Sequence, residues 1–242
     1  MHKSKKLILL MFLVVLAVAC AGCGIFGGGS QPAGGDIKEL AGITVIVDPG
    51  HGDTDVGTIG VSTGRYEKDV NLEISLKLKE ALEQKGVNVV MTRQDDNPLG
   101  PADEQDVGER KEADMQKREE IIESANAQLL ISIHQNRFED ESVAGPQVFY
   151  LRNEADGREY GVQFAHSLQQ AINEDLAIEN PRKINHGNWR LLKKGNQPSA
   201  IVECGFFSNP KEEALLQTEE YQNKLVAAIV RGSGDYVAEY GV

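Results

Sequence analysis

Cysteine is scarce in this chain of 242 residues: there are three, and Cys20 and Cys23 both fall in the first 23 positions. Only Cys204 remains beyond them, so no disulfide can form within the folded part, and a four-cysteine zinc site is excluded. Positive charge is also short. Lys and Arg total 25 against 37 Asp and Glu, a net charge of -12, which excludes a surface built to track nucleic-acid phosphates. No Gly-x-Gly-x-x-Gly opens the first helix and no phosphate-binding lysine motif occurs, so Gly57-Thr58-Ile59-Gly60 is a weak candidate for a nucleotide site. No internal repeat is visible. Long apolar runs are limited to Leu7–Ala19, whose 13 residues suit a signal-peptide core and are short for a membrane-spanning helix.

That run follows His2, Lys3, Lys5 and Lys6 and ends at a cysteine preceded by small residues. The pattern resembles a bacterial lipoprotein signal, with Cys20 fitting better than Cys23. Three fates are open to residues 1–23: lipid anchoring, an uncleaved membrane anchor, or ordinary secretion. Each places the rest of the chain outside the cytoplasm. Residues 24–39 are glycine-rich and read as a flexible linker. Residues 40–235 then form the folded domain, long enough to bury a core without staples.

Within that domain, Ile43–Val47 is a β-branched run stopping at Asp48-Pro49-Gly50, which predicts a strand entering a turn. Val70, Ile74, Leu78 and Leu82 recur every fourth residue and predict a helix over 69–85, closed by Gly86. Val87–Met91 is the next strand, giving a βαβ unit with a right-handed crossover. Gly108–Ala125 is charged and predicts a helix with one side exposed. Leu129–Ile133 is almost wholly apolar, as in a strand covered on both faces. Further strands are expected at 147–151 and 199–203, and helices at 160–172 and 212–230. The alternation predicts a single three-layer α/β domain, a mostly parallel sheet flanked by helices.

The chemistry sits where strands end. His51 follows VIVDPG, His134 follows LLISI and Glu203 follows SAIV, while Glu67 stands between a glycine-rich loop and the first helix. In an open parallel sheet the carboxyl ends of the strands line one crevice, so these side chains meet in space although distant in sequence. A buried imidazole or carboxylate there needs a metal, a counter-charge or a proton. Two histidines and a carboxylate form a common catalytic zinc set. Of Glu67 and Glu203, one would bind the metal and the other would move a proton. Position alone does not say which.

VIVDPGHG, GRYEKDVNLEISLKLKEAL, VVMTR, LLISIHQN and VECGFFSN occur in this order and cover nearly everything after residue 40. Together they resemble the zinc-dependent N-acetylmuramoyl-L-alanine amidases of bacteria. The charged helix after VVMTR and the ending NPKEEALLQTEEYQNKLVAAIVRG are most similar to the germination amidases of endospore formers. The resemblance implies His51, Glu67 and His134 as zinc ligands and Glu203 as the catalytic carboxylate. It implies cleavage of the amide joining the muramic lactyl group to L-alanine in peptidoglycan. In that subgroup the cut begins muramic δ-lactam formation in spore cortex, and a muramic acid deacetylase acts next. Competing readings are a wall-binding lipoprotein without chemistry and a different zinc peptidase or deacetylase.

Other residues carry looser expectations. Gln135 stands where the family has a small residue and would form a bulkier groove wall. Period two points Cys204 away from Glu203 into the core, against a thiol hydrolase. Asp48 would either accept a hydrogen bond from His51 or form a turn. Arg93 would bind a substrate carboxylate or pair with an acidic neighbour. Arg118, in a family-like DxxxR segment, is expected to be structural. Asn71 and Asn136 would hold loops. Trp189 would stack on a ligand or pack partly buried.

Overall fold

The computed structural model describes residues 38–101, 103–152 and 159–242, all within one compact unit, Gly34–Val242. The segment read as a signal or anchor, and nearly all of the linker, lie outside the described residues. No described helix is long and apolar enough to cross a membrane.

The chain runs β1 (Thr44–Pro49), α1 (Glu67–Glu83), β2 (Asn88–Met91), α2 (Val107–Ser124), β3 (Leu129–Asn136), β4 (Gln147–Arg152), β5 (Glu159–Tyr160), α3 (Val162–Asp175), β6 (Asn185–Gly187), β7 (Ser199–Phe206), α4 (Pro210–Leu216) and α5 (Glu219–Tyr240). The sheet order is β2-β1-β3-β7-β4-β5, with β6 beside β4. Strands β2, β1, β3 and β7 are mutually parallel, and β4 runs antiparallel to β7. This is the α/β domain with a mixed, mostly parallel sheet that the alternation of elements predicts.

Alternation along the central strands builds two cores. Val45, Val47, Leu129, Ile131, Ala200 and Val202 face α1, α3 and α5. Ile46, Leu130 and Ile201 face the other way, toward Ile122 of α2 and the Trp189–Leu192 segment. A strand enclosed by both layers must be apolar on both faces, which is why LLISI carries so little polarity. Toward the carboxyl ends the α2 side turns polar: Asp48 follows Ile46, Ser132 and His134 follow Leu130, and Glu203 follows Ile201. That switch places the site.

Several boundaries differ from expectation, the strands β3 and β7 each running three residues further, to Asn136 and Phe206. The helix predicted at 212–230 is two helices, because Thr218 caps the second by accepting from the Tyr221 amide. Gly86 lies two residues beyond the α1 cap, at φ 81°, in the left-handed region glycine tolerates. Helices α3 and α5 pack so closely that a Cβ on Gly232 would lie 2.8 Å from the Ser167 carbonyl oxygen.

Candidate metal centre

The β1–α1 turn presents His51 with a backbone φ of 61°, a conformation rarely adopted outside glycine. Buried cations hold this turn by its carbonyls. Arg118 donates to the oxygens of Pro49 (2.8 Å) and His51 (2.6 Å). Arg93 donates to those of Pro49 (3.0 Å), Gly50 (3.1 Å) and Lys68 (2.8 Å), and Asn71 donates to that of Gly50 (3.1 Å). Strain at a ligand-bearing turn thus persists because its surroundings fix it.

His51, Glu67 and His134 converge. Their possible ligand atoms all lie within 4.8 Å of one another. Glu67 Oε1 is 3.2 Å from His51 Nε2 and 3.1 Å from His134 Nδ1. The same oxygen accepts from the Gln135 amide at 3.0 Å and from Asn71, while Oε2 accepts from the Thr58 amide at 2.8 Å. Glycines leave no slack around the cluster. A Cβ on Gly50 would sit 2.2 Å from the His134 ring, and one on Gly57 would sit 2.7 Å from both Glu67 Oε2 and the His51 ring.

The electrostatics call for a cation. Glu67 is only 2% exposed and no Lys or Arg pairs with it among the described residues. Burial pushes its carboxyl pKa up, but hydrogen bonds and charge from the two imidazoles bring it well below the usual carboxylate range. Burial lowers the His51 pKa, and contacts with Asp55 and Glu67 reverse this and lift it to about 9. A proton on the His51 imidazole therefore compensates Glu67 where a divalent ion could do so instead. Two imidazole nitrogens and a carboxylate oxygen are donors that zinc accepts. The three residues fit a metal ion.

Glu203 pairs in register with His134 on adjacent parallel strands, so both project from the same face. Its Oε2 is buried without a hydrogen-bond partner. Burial pushes the carboxyl up to about 7, a value suited to taking and returning protons near neutrality. A groove of about 410 Å³ opens beside the cluster, bounded by the His51 turn, α2 and the Arg190–Leu191 segment.

Several side chains stand elsewhere than expected. Asp48 makes no hydrogen bond with the His51 side chain. It is fully buried and accepts from Thr92 (2.6 Å), Ser132 (2.6 Å) and Arg118 (2.7 Å). The acceptor for His51 is Asp55, at 2.9 Å from Nδ1, which sequence reasoning missed. Among the described residues Arg93 meets no carboxylate oxygen within hydrogen-bonding distance; its partners are backbone carbonyls, so it is a buried strut. Gln135 does not wall the groove: it is 3% exposed and donates to Asn71 on the α1 side of the sheet. Cys204 is buried in the α1-side core, and its thiol pKa is pushed up by burial. Trp189 is half-buried, edge-on to Phe149 at 5.1 Å, and packs in the α2-side core. Asn136 caps its own loop, its side chain accepting from the Arg137 amide at 2.8 Å.

A mostly parallel sheet with a His–Glu–His cluster and a half-buried carboxylate carrying one buried, unpartnered oxygen at its carboxyl edge is the framework of a metal-dependent hydrolase. Residues 45–233 match the N-acetylmuramoyl-L-alanine amidase family, and the chain belongs to it. A germination-specific N-acetylmuramoyl-L-alanine amidase of Bacillus subtilis (strain 168) is 33% identical over 202 residues, covering 84% of this chain and 83% of the relative. The CwlD amidase of Clostridioides difficile, solved in complex with the GerS lipoprotein, superposes with a TM-score of 0.75 at 35% identity, covering 81% of this chain and 98% of that one. The catalytic domain of CwlV from Bacillus (Paenibacillus) polymyxa gives a TM-score of 0.67 at 29% identity, over 81% of this chain and 98% of that one.

Proposed function

We propose that this chain hydrolyses the amide between the lactyl group of N-acetylmuramic acid and L-alanine in peptidoglycan. Zinc would be held by His51, Glu67 and His134, with Glu203 as the proton carrier. The observation that carries the reading is the partly buried His–Glu–His cluster, with no Lys or Arg partner to Glu67 among the described residues, beside the unpartnered Glu203 Oε2 in a member of this family.

When bound, the ion supplies Lewis acidity, polarising a carbonyl and acidifying water toward a pKa of about 7. The chain's residues do the rest. Asp55 holds the His51 ring. The Thr58 and Gln135 amides fix the Glu67 carboxylate. Glu203 takes a proton from the attacking water and returns one to the departing alanine nitrogen. Its neighbours favour that cycle, because burial keeps the carboxyl near neutrality while the imidazoles beside it favour the ionised form.

The similarity to a germination-specific amidase supports a role in spore cortex, and a muramic acid deacetylase would act on the product. Residues 40–235 would be the catalytic domain. Residues 24–39 would tether it to an N-terminal lipid or membrane anchor, or trail a secretion signal, outside the cytoplasmic membrane. Digesting purified peptidoglycan and weighing the muropeptides tests the reaction. New muramic lactyl ends together with free L-alanine amino ends, abolished by a zinc chelator, are expected. Release of terminal D-alanine or of acetate would instead mark a carboxypeptidase or a deacetylase. Wall binding without any new ends would mark a non-catalytic protein.

A further inference from the structure

The turn bearing His51 is tied to the first turns of α2 by two adjacent ion pairs. Arg110 donates to both oxygens of Asp53, with Nη2 at 2.7 Å from Oδ1. Lys111 donates to Asp55 Oδ1 at 2.8 Å. The other oxygen of Asp55, Oδ2, is 2.9 Å from His51 Nδ1. The backbone of Asp55 cannot drift from this position, because its amide and carbonyl each bond to Gly52 at 2.9 Å. The Asp55 carboxylate is therefore divided, one oxygen on the imidazole and one on α2.

We infer that Asp55 is the positioning residue for His51, accepting from Nδ1 so that Nε2 is the nitrogen turned to the metal site beside Glu67, and that Lys111 anchors Asp55 in that role. This rests on the proposed metal-binding role of His51. A neutral imidazole has one donor nitrogen and one acceptor nitrogen, and a carboxylate can only accept. Both ring nitrogens face carboxylates, so it is only when Nε2 gives up its proton to ligate a metal that Asp55, accepting from the proton left on Nδ1, fixes the ring. The left-handed φ of 61° at His51 makes the constraint more consequential, since a turn held in a strained conformation can relax once its tie is cut.

Zinc affinity of the full-length protein, measured by competition with a chelating dye, tests the inference. Removing such an orienting acceptor weakens metal binding about 10–100-fold, and that loss is expected for Asp55→Ala. Asp55→Asn keeps an oxygen that can accept from Nδ1, so it should recover most of the loss. Lys111→Met removes a half-exposed ion pair and should weaken binding by less than about fivefold. Imidazole ¹⁵N shifts of the zinc-loaded proteins should report a protonated Nδ1 and a metal-bound Nε2 on His51 in wild type, and the loss of that single state in Asp55→Ala. Wild-type zinc affinity in Asp55→Ala, or an Asp55→Asn protein as weak as Asp55→Ala, overturns the positioning role. If wild type and Asp55→Ala alike bind no zinc, the metal-binding reading itself fails.

Discussion

Replacing Arg118 by methionine should unfold this protein at a much lower temperature, and Asp48 is the reason. Both side chains are buried, at 2% and 0% exposure, and they meet at 2.7 Å. Burial alone raises the Asp48 pKa, but Arg118, Ser132 and Thr92 more than reverse this and hold it at about 2 against an ordinary 3.8. At about 1.4 kcal/mol per unit, that difference stabilises the folded state by about 2 kcal/mol at neutral pH. The sign follows from the direction of the shift. The contribution is fully present above the unfolded value of 3.8 and is lost as pH falls toward about 2. Removing Arg118 does more than cancel this contribution, because the Asp48 charge stays buried without a cation and the carbonyls of Pro49 and His51 lose a donor. Breaking a buried pair from one side costs about 3–5 kcal/mol. For a domain of this size, that lowers the midpoint of thermal unfolding by about 10 °C. Thermal denaturation of the zinc-free protein followed by circular dichroism measures it. Adding Asp48→Asn to Arg118→Met removes the stranded charge and should restore a substantial part of the loss. An unchanged midpoint in Arg118→Met, or a double variant no more stable than the single, would refute the account.

Other expectations follow from the same geometry. Glu203→Gln should cut turnover by about 10²–10⁴-fold while zinc affinity stays within a few-fold of wild type, read by muropeptide release and dye competition on the same sample. Gly50→Ala drives a methyl group into the His134 ring, so its zinc binding should weaken at least tenfold, by about 1.4 kcal/mol or more, with the far-UV spectrum retained. Gly232→Ala sets a methyl group against the Ser167 carbonyl and the Leu168 backbone, which cannot yield as a side chain would. It should cost about 1–3 kcal/mol in denaturant unfolding and leave zinc affinity unchanged.

The parts of the site that were legible in the sequence are those governed by strand periodicity. His134 and Glu203 each close an apolar run, and parallel register sets them side by side, so alternation alone puts both on the α2 face. The same rule sends Cys204 and Gln135 to the opposite face, which explains why Gln135 fills space behind Glu67 rather than walling the groove. Applied to β1, it would also have corrected Asp48. Ile46 and Asp48 share a face, so Asp48 points across the sheet to Ser132, one strand away, and its nearness in sequence to His51 misleads.

What periodicity could not supply was the path of the chain after the strand ends. His51 and Asp53 both take left-handed backbone angles, of 61° and 49°, and no glycine marks either position. That turn swings the imidazole away from Asp48 and over to Asp55, a partner four residues on. The cations that hold the turn were hidden for a different reason. Arg118 lies in a helix so charged that it looks solvated throughout, and its only buried companion on α2 is Ile122. Its role depends on Asp48, 70 residues earlier, and on carbonyls left without strand partners where β1 ends. A buried arginine is thus the consequence of a strand stopping short: the turn that frees His51 to face Glu67 also exposes three successive carbonyls, and Arg93, Arg118 and Asn71 are the donors that satisfy them.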